Sequence, residues 1–318
     1  MPRAPLNVLQ FVERIPYSNI KRNYTERLTV WSVCPLSDGV VLLACGGLGL
    51  RAYSLNSSQL SPHKIVAIGD VSGVAFDVLT DTLLLLVMTT DKWQLVSRHS
   101  NASIWLEVMR VTTDINVKDL NVPIIAVCNS HVLVVDYLQG DRLYVYNVSA
   151  EHTVRDAGFV PLGQQNWTGL ACTRIGKDTY VALSHYETSL VTLHRLVWSS
   201  VKPHLDQFAN YTLHNPFWLL FLDDLLLVSS FNSTTKSDAI VSIPASDGAL
   251  SEKRVLLTAK DHIAVHGWAV AGDRLVLWDL NSGDLLIYAT FWKKTAATMK
   301  KKRAPINGNT GPLSTDLP

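Results

Sequence analysis

Leu275-Val-Leu-Trp-Asp-Leu-Asn-Ser-Gly-Asp-Leu-Leu286 reads as a short apolar strand with a Trp-Asp ending, a tight Asn-Ser-Gly turn and the start of a second strand. One strand–turn–strand of this kind occurs in many β proteins, so its weight depends on recurrence. Asp273-Arg-Leu-Val-Leu-Trp-Asp-Leu280 has a close echo in Asp141-Arg-Leu-Tyr-Val-Tyr-Asn-Val148. A weaker one, Leu50–Leu55, is followed by "NSSQL" where the first has "NSGDL". Looser copies lie at Leu106–Val111, Leu190–Leu196 and Ala239–Ile243. The matched positions run from 53 to 278 in five uneven steps, a mean of 45 residues.

Around these copies the chain is a succession of short apolar or alternating runs: "VWSVCPL" (30–36), "VVLLAC" (40–45), "TLLLLVM" (82–88), "PIIAVC" (123–128), "HVLVVDYL" (131–138) and "DTYVALSHY" (178–186). Gly, Asn, Asp, Ser and Pro separate them, and helical periodicity is scarce. This is an all-β pattern in which both faces of many strands are buried. A period near 40–45 residues with about four strands in each unit is that of β-propeller blades, whose faces are covered only when the ring closes. Six units follow: 30–69, 70–122, 123–163, 166–212, 215–259 and 262–291. The last is one strand short, and the run Leu6–Val12 in the N-terminal segment 1–29 can supply it, closing the ring. Residues 292–318 then form a basic disordered tail. A seventh blade within the long second unit is the alternative.

The repeat resembles WD-type propellers across most of residues 30–291. Trp278-Asp279 keeps the Trp-Asp pair, while the Gly-His pair that opens such repeats is missing throughout. In "NWTGLACTRI" (166–175) and "GDRLVLWDL" (272–280) it also resembles the divergent propeller-like regions of fungal F-box protein families. No F-box segment with its Leu-Pro opening is visible, so docking to a ubiquitin-ligase core is not implied.

Composition narrows the function classes. Hydrophobic residues make up 47% and charged residues 17% of 318, which excludes a disordered chain and allows a large core. No apolar run reaches the length of a membrane span. The start "MPRAPLNVLQFVERIP" lacks a signal-peptide core, so the expected location is cytoplasm or nucleus. Seven N-x-S/T sequons (Asn23, Asn56, Asn101, Asn147, Asn166, Asn210, Asn232) argue mildly for secretion, but read more simply as polar turn residues. Cys34, Cys45, Cys128 and Cys172 stand singly in apolar runs and read as buried reduced thiols, with a Cys34–Cys45 disulfide as the alternative in a secreted protein. The net charge of +1 hides an asymmetry: Lys293, Lys294, Lys300, Lys301, Lys302 and Arg303 face only Asp316 in the tail, which leaves residues 1–292 with 22 bases and 26 acids, a net of −4.

Motifs that could carry chemistry are few. Gly47-Leu-Gly49-Leu-Arg-Ala52, with Asp70 beyond, matches a dinucleotide fingerprint, but the intervening segment is a poor helix, so a hairpin turn is expected. His262 and His266 have metal-ligand spacing only on a helix, and a strand is expected there. Asp223-Asp224 is a paired carboxylate between two strand-like runs, hence a turn. The tryptophans, Trp31, Trp93, Trp105, Trp167, Trp218 and Trp268 among them, could line a sugar- or methyl-lysine-binding face; blade packing consumes such residues. No catalytic, cofactor-binding or metal set emerges. The functional expectation is a non-catalytic protein–protein platform that is monomeric as a fold, with its partner unidentified. Its basic tail is a candidate nuclear-import or anion-binding element and the one expected route to nucleic acid. The alternative is a propeller hydrolase or a small-ligand or sugar binder using the central channel.

Overall fold

In the computed structural model the described residues are 9–16, 29–37, 39–56, 59–60, 70–88, 92–99, 107–116, 123–136, 140–163, 167–199, 202–222, 225–245, 253–258 and 261–289. They form strands and no α-helix. Strand β1 (Gln10–Ile15) precedes blade 1, made of β2 (Ser32–Ser37), β3 (Val40–Ala44), β4 (Leu50–Ser54) and β5 (Gln59–Leu60). Blade 2 is β6 (Asp70–Asp77), β7 (Thr82–Met88), β8 (Lys92–His99) and β9 (Glu107–Asn116). Blade 3 is β10 (Pro123–Cys128), β11 (His131–Asp136), β12 (Arg142–Val148) and β13 (Val154–Pro161). Blade 4 is β14 (Trp167–Ile175), β15 (Asp178–His185), β16 (Leu190–Ser199) and β17 (Lys202–Thr212). Blade 5 is β18 (Pro216–Leu222), β19 (Leu225–Asn232), β20 (Ser237–Pro244) and β21 (Arg254–Leu257). Blade 6 is β22 (Val265–Ala271), β23 (Arg274–Asp279) and β24 (Asp284–Ala289), completed by β1 on its outer edge.

Each blade is an antiparallel meander whose first strand has one partner strand within its sheet, and in blade 2 an isolated bridge also ties Val71 of β6 to Gly46. These first strands touch in the order β2, β6, β10, β14, β18, β22 and back to β2, which closes a ring of six. The expected closing strand is present a few residues further along than Leu6–Val12: Gln10 to Ile15 pair with Ala289 to Leu285. The long second unit is one four-stranded sheet, so the described residues form no seventh blade.

The apolar runs have one physical reason. Along β7, Leu83, Leu85 and Val87 pack against blade 1, while Leu84 and Leu86 pack against blade 3. The second strands β3, β11, β15, β19 and β23 divide their side chains in the same alternating way between the two neighbouring blades. There are accordingly six cores, one between each pair of blades. Alternation along a strand puts successive side chains on opposite faces, and here both faces are interior. Each such Leu or Val contributes about 1.5–3 kcal/mol by its burial.

Several expectations are settled by placement. The echoes at 50–55, 141–148, 190–196 and 239–243 fall on third strands, but 106–111 falls at β9, a fourth strand, and 273–280 at β23, a second strand. Trp278-Asp279 therefore sits in the middle of its unit, not near its end. Trp278 is buried against blade 1, and the Asp279 carboxylate accepts from the Asn281 and Ser282 amides, the Ser282 hydroxyl (2.6 Å) and the Ala264 amide (2.8 Å). Gly47 and Gly49 lie in the β3–β4 turn, where Gly46 and Gly49 adopt positive φ (55° and 73°), and the strand β4 follows directly. Cys34 packs toward blade 2 and Cys45 toward blade 6, on opposite faces of blade 1, which removes the Cys34–Cys45 pairing. Of the sequon residues, Asn232 makes the expected turn, its side chain accepting from the Thr234 amide at 2.9 Å. Asn147 and Asn210 instead lie exposed on β12 and β17. Asn23, Asn101, Asn166, Trp105, Asp223, Asp224 and the tail from Lys293 lie outside the described residues.

Candidate functional site

The free edges of the six inner strands surround an axial cavity of about 310 Å³. Its walls are runs of consecutive residues, 31–35, 72–76, 123–127, 170–172, 218–221 and 267–270. Consecutive lining is what a strand edge gives; a strand face would contribute alternate residues. The polar capacity of the channel is therefore mainly backbone N–H and C=O, supplemented by Ser32, Ser72, Cys34 and Cys172. Among the described residues that line it there is no Asp, Glu, Lys, Arg or His.

The two ends of the channel differ. In a meander, the first–second and third–fourth connections lie at one end and the second–third and inter-blade connections at the other. We call these the hairpin face and the crossover face. At the crossover face, four inner strands begin with a bulge, at Val71/Gly73, Trp167/Gly169, Pro216/Leu219 and Val265/Trp268. Bulges re-aim side chains, and aromatics gather here. His266 sits edge-on to Trp31 (5.2 Å) and Trp218 (5.5 Å). Its Nδ1 donates to the Val30 carbonyl (2.7 Å), which leaves Nε2 as the unprotonated nitrogen. Burial lowers its pKa, so the ring is neutral. Trp167 and the buried His185 stack edge-to-face at 4.4 Å. The indole N–H groups of Trp167, Trp218 and Trp268 are buried without a hydrogen-bond partner.

His266 thus has the Val30 carbonyl and two indoles among its neighbours. His262 lies in the segment before β22 and is exposed, so the pair is not on a helix; no group of three metal-ligating side chains occurs among the described residues. Trp93, Trp167 and Trp268 belong to inter-blade cores, as packing predicts. Trp31 and Trp218 are half-buried at the channel mouth.

At the hairpin face the β6–β7 turn is fixed from beneath. Asp77, nearly fully buried, accepts from the Thr80 hydroxyl (2.6 Å) and from the Ser130 amide of blade 3 (3.4 Å). Thr82 joins Thr80 (2.9 Å) and the His152 ring (2.7 Å). On top of this network Val78 and Leu79 stand 79% and 57% exposed. Trp198, 40% exposed, packs edge-on against His131 (5.6 Å) on the same face. Neither Val78-Leu79 nor Trp198 stands out in the sequence. The one available signal was two apolar residues inside the turn "DVLTDT", where polar residues are the rule.

No family model and no curated protein matches the chain. Solved structures share its fold. The PQQ-bound aldose sugar dehydrogenase of Streptomyces coelicolor is 11% identical with a TM-score of 0.61, over 91% of this chain and 99% of that one. Kuenenia stuttgartiensis hydrazine synthase is 8% identical with a TM-score of 0.57, over 90% and 82%. The β-propeller domain of Myceliophteria thermophila Cps50 (Swd1) is 12% identical with a TM-score of 0.50, over 82% and 83%. At these identities the likeness is one of fold, and the chain is a six-bladed β-propeller.

Proposed function

We propose that the chain is a non-catalytic protein–protein interaction platform, a WD-like adaptor in the broad sense, whose partner docks on its loops. The observation that carries this reading is the β6–β7 turn. A buried carboxylate and two threonines hold it in one conformation while it presents two apolar side chains to water. An apolar contact that is already ordered loses little entropy on binding. The basic residues Lys293, Lys294, Lys300, Lys301, Lys302 and Arg303 are proposed as a nuclear-import or anion-binding element, worked by charge alone.

A second reading rests on the unpartnered indole N–H groups of Trp218 and Trp268, both in channel-lining residues. They suit a neutral small ligand with acceptor atoms at the crossover mouth. The deciding experiment is affinity capture of the intact chain from its native cells, with and without residues 293–318, read by mass spectrometry. The platform reading expects a stoichiometric protein retained by both forms. Recovery of a small ligand and no protein would overturn it.

A further inference from the structure

Three hydrogen-bond donors without a partner gather at the crossover mouth of the channel. They are the Ser72 hydroxyl and the indole N–H groups of Trp218 and Trp268. All three residues line the axial cavity. Ser72 and Trp268 are more than nine-tenths buried, and an unpaired donor is costly in such a place. Each stands at the irregular start of an inner strand: Ser72 within the Val71/Gly73 shift of β6, Trp218 within the Pro216/Leu219 shift of β18, and Trp268 at the end of the Val265/Trp268 shift of β22. Regular pairing would send successive side chains to the two inter-blade cores, whereas a bulge re-aims them. The donors thus come from blades 2, 5 and 6, around the ring and not from one wall. Trp31, beside β2 of blade 1, lines the same cavity. The neutral His266 ring bridges Trp31 and Trp218, edge-on to each at 5.2 and 5.5 Å.

We propose, resting on the small-ligand reading of the channel, that this mouth binds one neutral sugar ring of the pyranose type. Indole N–H groups only donate, so the ligand must bring acceptors. The described lining residues carry no charged side chain, so an ion would find no counter-charge, and the positive edges of the indoles repel a cation. Donors on three blades call for acceptors on several sides of the ligand. A ketone or an amide carries its acceptor on one side, while the hydroxyls of a sugar ring point outward all round. The same hydroxyls can donate to backbone carbonyls at the strand edges that form the walls. The C–H face of the ring suits the aromatic surfaces of Trp31 and Trp218. At about 310 Å³ the cavity is at the lower end of small-molecule pockets, which fits a single ring and not an oligosaccharide. The β6–β7 turn lies at the other end of the channel, so a sugar held here leaves the protein-docking turn uncovered.

The test is indole N–H NMR of the full folded chain, titrated with D-glucose, D-galactose, D-mannose and N-acetyl-D-glucosamine. A separate titration uses caprolactam, a neutral ring with a single carbonyl acceptor. The nine tryptophans give one indole signal each, and Trp218→Phe and Trp268→Phe identify the two that matter. At least one sugar should move both protons downfield, as a new hydrogen bond does, with a Kd below about 10 mM. The Phe variants keep a ring and lose the donor, and Ser72→Ala loses the hydroxyl; each should weaken that sugar by about threefold to tenfold. Where one Phe variant does not fold, the other and Ser72→Ala still decide. Binding by none of the four sugars, binding that leaves both indole signals in place, or binding that no variant weakens would overturn the sugar site. If caprolactam moves the two signals and no sugar does, the sugar assignment falls and the small-ligand reading stands. If no probe moves them, both fall.

Discussion

Asp238 holds its carboxyl between blades 5 and 6, with Oδ2 accepting from the Val265 amide at 2.7 Å and Asp279 nearby. Burial pushes its pKa up to about 7, against the opposing effect of the Val265 and Ser229 hydrogen bonds. The folded state therefore keeps a proton that the unfolded chain has released between about pH 4 and 7, and stability falls as pH rises through that window. Asp238→Asn removes the titrating group and keeps an acceptor for Val265. Relative to the native chain it should gain on the order of 4 kcal/mol between pH 4 and pH 8, read from urea unfolding at each pH. Parallel stability curves for the two proteins would refute this. At this scale little was legible beforehand. The Trp-Asp pair reads in sequence as a repeat marker, but its role is local: Asp279 builds a turn and Trp278 fills a core. The role of Asp238 does not show in sequence, because it depends on which blade faces which.

Two features of single elements bear directly on ring closure. β1 is the outer strand of the last blade, tied by its ladder to β24, by Phe11 on Tyr288 (5.6 Å) and by Arg14 to Asp284 (3.4 Å). Removing residues 1–16 exposes the β24 edge and unlinks the two ends of the ring. The truncated chain should unfold at a markedly lower temperature and self-associate, and a peptide of residues 9–16 added in trans should restore part of the loss. An unchanged midpoint in calorimetry would contradict the closure. Gly169 in β14 is the second feature: a Cβ there would lie 2.1 Å from the Phe217 carbonyl oxygen of the next blade. Gly169→Ala must push β14 and β18 apart, at a cost of about 1–3 kcal/mol by the scale of overpacked cores. A variant with native stability in urea would show that the blades are not so close. The elements themselves were readable from sequence, and the unit boundaries lie within a few residues of the sheets. Strand order inside a unit was not, because strands of similar length and apolarity follow one another. An echo can then slip by one strand, as it did at 106–111 and 273–280, while the period survives.

For the whole molecule, the fold follows from one property of the sequence: strands apolar on both faces, repeated about every 45 residues, bury those faces only in a closed ring. The site was less legible, since a strand edge presents backbone to the channel and backbone leaves no mark on sequence. The exposed pair Val78-Leu79 acquires meaning only from the buried Asp77 network beneath it. Docking through this turn is tested by binding of the captured partner to the native chain and to the double variant Val78→Asp/Leu79→Asp. Both substituted side chains are exposed, so the unfolding midpoint should stay within about 1–2 °C of native. The variant should lose at least tenfold in affinity with that midpoint preserved. Unchanged affinity in a folded variant would contradict it and would move the site to the channel.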